Sequence, residues 1–171
     1  MKQVKLLDCT LRDGGYVNDW EFGHDNIVTI FERLISAGVD ILEIGFLDDR
    51  RTFDRNRTIM PTTQCADQIF GKLDKGNTMI VAMIDYGTCD ISNLSPCSES
   101  YIDGIRVIFK KHVMHEAIQF CHERRSSSAT KSKNWATKCL HRRFRSPATP
   151  TVSFWIWLTL STIWNRMRCP L

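Results

Sequence analysis

Two rhythms of apolar positions alternate along the first 120 residues. Nearly unbroken apolar runs at 4–8, 41–46, 78–84 and 104–109 predict four short strands. Between them, apolar residues recur at helical spacing. Ile27, Ile30, Phe31 and Leu34 share one face of a helix predicted over 24–37, with Gly38 as its stop. Thr62-Thr63-Gln64 opens a second helix to about residue 73, and a third is predicted over 115–123. Strands that are apolar throughout are covered on both sides, which is the signature of a parallel sheet. Strand–helix alternation at this spacing predicts an α/β fold, three to four βα units from the front of a (β/α)₈ barrel. A flavodoxin-like open sheet is the second arrangement, since period alone does not separate the two.

Length changes this picture. The 171 residues, 43% of them hydrophobic, suffice for one core of ordinary size. They do not suffice for a whole barrel, which takes roughly 250 residues. No basic-plus-apolar leader precedes the first strand. Seven cysteines without a C-x-x-C pair fit reduced thiols in a cytoplasmic protein better than a disulfide framework or a zinc site.

Charge divides the chain in two. Residues 1–123 carry 13 Lys and Arg against all 19 Asp and Glu, a net charge of −6. Residues 124–171 carry 10 Lys and Arg and no acid, a net charge of +10, together with four of the five tryptophans. At ordinary composition, an acid-free stretch of this length arises on the order of a few times in a thousand. Such a tail could contact nucleic acid, giving an α/β binding module as the alternative function. Its apolar run over 152–164 is short of the roughly 20 residues that span a bilayer, so no membrane is expected.

A third reading of the tail is translation out of frame. Codons for Lys133-Asn134-Trp135-Ala136, read two nucleotides later, force Lys or Glu, then Leu, then Gly. The same frame forces Leu-Asp and then Leu or Met across Trp155-Ile156-Trp157, and Glu across Trp164-Asn165. It permits an amphipathic helix and a Gly-capped helix end where the present frame has neither. The expectation is therefore a folded part over 1–123 and an irregular, frameshifted tail over 124–171 that is not a native domain. Residues 124–133 would then be a scar or linker.

The chemistry concentrates at the first strand end, in Asp8-Cys9-Thr10-Leu11-Arg12-Asp13-Gly14-Gly15. Arg12 offers a planar fork for a carboxylate or enolate, and Asp13 a hard oxygen for Mg or Mn. A strand followed by a Gly turn presents such groups at the carboxyl edge of a sheet, where α/β proteins bind ligands. The second strand offers Glu43 and, just past it, Asp48 and Asp49; Asp85-Tyr86-Gly87 ends the third, and the fourth carries Arg106, with Lys110 and His112 beyond. All are expected at one pole. Residues 50–57 form a basic loop that could clamp a phosphate or a CoA-like tail, with a solvated loop as the plainer reading.

The Asp8-to-Gly14 segment resembles the signature of the DRE-TIM metallolyases, closest to the 4-hydroxy-2-oxovalerate aldolase branch. The resemblance is strong over 6–15 and loose over the rest of 4–120. It implies a TIM-barrel lyase that cleaves or forms a C–C bond beside a 2-oxo acid or acyl-CoA-like substrate, with a divalent metal, Mn or Mg. By position it makes Asp13 the metal ligand and Arg12 the group that stabilises the enolate. Glu43 matches an acidic position on the family's second strand and becomes a supporting group. Asp85 and Arg106 are expected, from their places on the strands, to support the site or bind substrate, and Asp8 to orient the turn. Two departures stand out. Tyr16 stands where the family carries a catalytic His, and a phenol is a weaker base than imidazole at neutral pH. The family's His-x-His metal pair occurs nowhere, and His112 and His115 read as surface residues at the start of a helix. The chain is expected to be half a barrel, inactive and poorly stable alone, with an open sheet edge and an uncovered apolar face.

Overall fold

In a computed structural model, the described residues are 4–96, 98–126, 135–140 and 154–160, with side chains through Cys121. Strands β1 (Leu7–Asp8), β2 (Ile41–Leu47), β4 (Met79–Asp85) and β5 (Gly104–Phe109) form a parallel sheet in that order. A short β3 (Ile59–Met60) pairs with the end of β2. Helices α2 (His24–Ser36), α3 (Thr63–Phe70) and α4 (Met114–Ser126) connect or follow the strands. The three long parallel strands lie within one residue of their predicted bounds.

Alternation along the strands sorts side chains by face. Leu42, Ile44, Ile80, Ala82, Ile84, Ile105, Val107 and Phe109 join Ile27 and Phe31 of α2, Ile69 and Phe70 of α3, and Ala117 and Cys121 of α4 in one core cluster. All three helices thus cover the same face of the sheet. With the strands added in chain order, the arrangement is compatible with part of an α/β barrel. A doubly wound sheet instead reverses its strand order and places helices on both faces. The opposite face carries Glu43, Val81, Met83 and Arg106, each buried, with Met83, Trp20, Phe46 and Ile59 as a second, small cluster.

Local signals set the element ends. Gly38 ends α2 at φ +76°, a left-handed conformation that costs glycine little. The Thr62 hydroxyl accepts from the Cys65 N–H at 3.2 Å and caps α3. Gly45 serves close approach: a Cβ there would lie 2.1 Å from the Thr58 carbonyl oxygen. Phe46 N–H donates to that same oxygen at 2.9 Å. On this edge β2 pairs with β1 at its start and β3 at its end, and its register against β4 shifts between Glu43 and Phe46.

Three expectations are corrected. The first strand is two residues long, because the chain turns into a short helix α1 (Thr10–Asp13) and a 3₁₀ turn (Gly14–Val17) and forms no Gly turn. Gly14 has φ −61°; Gly15 is needed for space, since a Cβ would lie 2.0 Å from the Trp20 ring. The tail is not wholly irregular, since β6 (Trp135–Leu140) and β7 (Phe154–Leu160) pair antiparallel. The sheet edge at β5 is therefore not open: β7 adds antiparallel to it, from Gly104 opposite Thr159 to Phe109 opposite Phe154. Its apolar, aromatic and β-branched residues favour a strand, and β5 offers a row of free backbone groups. The 123/124 boundary falls inside α4, while 127–134 and 161–171 lie outside the described residues. No described helix is long and apolar enough to cross a membrane.

Candidate functional site

The α1 turn is held by bonds from distant segments. Asp8 accepts from the Thr10 N–H at 2.9 Å and the Thr10 hydroxyl at 3.1 Å, which starts the turn. The Thr58 hydroxyl donates to the Leu11 carbonyl at 2.6 Å, and the Trp20 indole N–H donates to the Arg12 carbonyl at 2.8 Å. Asp19 and Trp20 reach their places in left-handed conformations, φ 52° and 58°, which non-glycine residues adopt only when surroundings enforce them. Trp20 then packs on Phe46. Thr58 and Trp20 were not legible as site residues, because neither lies in a motif or a periodic face.

This scaffold aims Arg12 inward, where it is 7% exposed. Its Nε donates to Glu43 Oε2 at 2.7 Å, and Nη1 pairs with Asp13. From β5, Arg106 closes on the same carboxylate: Nε to Oε1 at 2.6 Å and Nη2 to Oε2 at 2.5 Å. Glu43 is fully buried and bridges two guanidiniums that are 94 residues apart in the chain (Arg12 and Arg106). Burial works against the Arg12 charge, and the charge and hydrogen bond of Glu43, with Asp13 behind, more than offset it, so its pKa is raised. Arg12, Asp13, Glu43 and Arg106 are thus brought together. Glu43 and Arg106 act from within their strands, as the third residue of each, and not from the strand ends expected.

The remaining candidates stand apart. Asp85 ends β4; burial raises its pKa and Lys110 and Arg50 counter that. Tyr16 is 62% exposed and stacks edge-on against Trp20 at 4.9 Å. His112 and His115 are exposed at the start of α4, as expected. The side chains of the basic tail lie outside the described residues.

The donor set around Asp13 does not fit a divalent metal. One Asp13 oxygen faces Arg12 and the other accepts from the Cys9 thiol at 3.2 Å. Burial first, and then the bond to Asp13, push that thiol up to about 11, so it stays protonated and is a poor ligand. Among the described residues, no group of three or more His, Cys, Asp or Glu could hold a metal ion. Among the described residues, Cys9, Cys65 and Cys89 are thiols outside any disulfide. No protein-family model, curated protein or solved structure matches the chain.

Proposed function

We propose that the chain carries the front part of a C–C bond lyase site acting on a 2-oxo acid, built on the first strands of a TIM-like barrel. The observation that supports this reading is the buried Arg12–Glu43–Arg106 bridge beneath the α1 turn. Two guanidiniums share one buried carboxylate, which leaves positive charge where an enolate or carboxylate would be stabilised. Arg12 is anchored through Nε and Nη1, so its remaining Nη is the edge for an incoming oxygen. Asp13 balances that charge until substrate arrives, and the Tyr16 hydroxyl is assigned to proton exchange. Supply of Mn or Mg chemistry requires ligands beyond Asp13, and no step here is routed through a metal.

The test is binding of oxalate, a planar mimic of the pyruvate enolate, followed by calorimetry. Saturable binding that Arg12→Lys weakens at least tenfold is expected, because lysine cannot reproduce the fork. Oxalate binding indifferent to that change would sink the reading. Retro-aldol turnover with added Mn is expected to be absent; turnover abolished by Asp13→Ala would show that the metal site is complete after all. Nucleotide sequence across codons 118–140 tests the origin of the tail. A shifted frame that runs on into a His-x-His strand would supply the missing ligands, and rapid stops in every other frame would make the tail genuine.

A further inference from the structure

The loop between β2 and β3 borders an open, shallow cavity of about 780 Å³ lined by Arg50, Arg51, Phe53, Asp54, Arg55 and Arg57, among others. That volume lies within the range of small-molecule sites. Four arginines and one aspartate give the lining an excess of three positive charges.

What anchors the arginines lies mostly outside the lining. Arg50 grips Asp48 with Nε at 2.7 Å and Nη2 at 2.6 Å. Arg51 holds both oxygens of Asp19 through Nη2, at 2.6 and 2.5 Å. Arg57 is saturated by Asp19, Glu21 and Asp54. These bonds use one edge of Arg50 and of Arg51 and leave other N–H groups of each fork without a hydrogen bond among the described residues. Arg55 differs. Its one described hydrogen bond is Nη2 to His24 Nε2 at 3.3 Å. Among the described residues, no carboxylate is bonded to the Arg55 guanidinium. The lining carboxylate, Asp54, is turned to its own loop, where it accepts from the Asn56 N–H at 2.9 Å and side-chain amide at 3.2 Å. Phe53, the one aromatic in the lining, packs against the main core and is held in place.

Guanidinium forks fixed along one edge, with N–H groups left over and one uncompensated cation among them, match the tetrahedral oxygens of a phosphate. A fixed ring beside them offers a stacking face. We propose that this cavity binds a phosphate-bearing small molecule, with Arg50, Arg51 and Arg55 on the phosphate and Phe53 against an attached planar ring. The site is independent of the lyase reading.

Calorimetric titration of the full chain with pyrophosphate and with ADP tests it. Pyrophosphate should bind saturably, about tenfold more weakly in Arg55→Ala, and with partial recovery in Arg55→Lys. Arg55 is exposed, so these variants should keep the fold, and Arg12→Lys should leave pyrophosphate binding unchanged. ADP should bind more tightly than pyrophosphate, and Phe53→Leu should remove the difference. No pyrophosphate binding, or binding that Arg55→Ala and Arg51→Ala both leave intact, would overturn the site. Equal affinities for ADP and pyrophosphate would overturn the stacking role.

Discussion

Among the described residues, arginine and carboxylate meet in two clusters, one in the sheet and one around the loop that follows β2, and the two are physically unlike. Glu43 and Arg106 are 0% and 1% exposed. Arg51 and Asp19 are 37% and 52% exposed and make bonds just as short. Contact geometry alone therefore says little about energy. In the sheet, water has been removed from three charges, and each partner is needed to offset the desolvation of the others. In the loop, water and salt screen the same pairs, and their value lies in fixing where the guanidinium edges point. Burial makes the first cluster an all-or-none device, and exposure leaves the second adjustable and open to ligands.

The largest expected effect comes from breaking the buried cluster at its centre. Glu43→Leu would leave Arg12 and Arg106 in the sheet without their shared carboxylate, at a cost of about 3–5 kcal/mol in urea unfolding. Adding Arg12→Met and Arg106→Met should restore most of the loss, since an apolar replacement of a buried ionic set is often neutral. If the triple variant were no more stable than Glu43→Leu alone, the desolvation argument would fail. Next is Gly45→Ala, whose Cβ meets a backbone oxygen that cannot swing aside. About 3 kcal/mol is expected, with loss of the β2–β3 register visible in amide exchange. Trp20→Phe keeps an aromatic ring and removes the indole N–H that donates to the buried Arg12 carbonyl, for about 1 kcal/mol. An effect below the error of measurement would mean that Thr58 alone holds the α1 turn.

The same contrast explains what the sequence could disclose. Ile41–Leu47 and Met79–Asp85 were legible because a parallel strand buried on both faces writes itself as a local apolar run. Gly38 and Thr62 were legible because helix stops and caps are chemistry of single residues. Glu43 invited attention as an acid inside such a run, since a buried carboxylate requires a partner. Its partners were not readable as partners: Arg106 arrives from β5 and Arg12 from α1, contacts that exist only after the sheet has formed. Trp20 and Thr58 were missed for the same reason, as their work is done through backbone carbonyls that any residue could own. The apolar run at 152–164 is legible in the tail, but its pairing as β7 against β5 is not, because that contact too exists only once the sheet has formed.

The smallest expected effects belong to the exposed cluster, and they carry a definite sign. Arg50 donates to Asp48 and holds its pKa below the usual carboxylate range, against the opposing effect of burial. Asp19 is lowered likewise, by bonds from Arg51 and then Arg57. A carboxylate whose folded pKa is depressed stabilises the fold above its unfolded pKa and loses that contribution as pH falls through the folded value. Stability should thus fall below about pH 4, where unfolded aspartates begin to protonate. Asp85, raised by burial, works in the opposite direction, because its protonated form is the better accommodated. Asp19→Asn, which removes a 52%-exposed carboxylate, should therefore flatten the acid limb of the stability curve, and roughly 0.5 M salt should shrink the difference between variant and parent. In the buried cluster, Glu43→Leu should lose nearly as much stability in high salt as in low. If salt rescued both variants equally, the sheet cluster would be as wet as the loop, and the contrast between them would collapse.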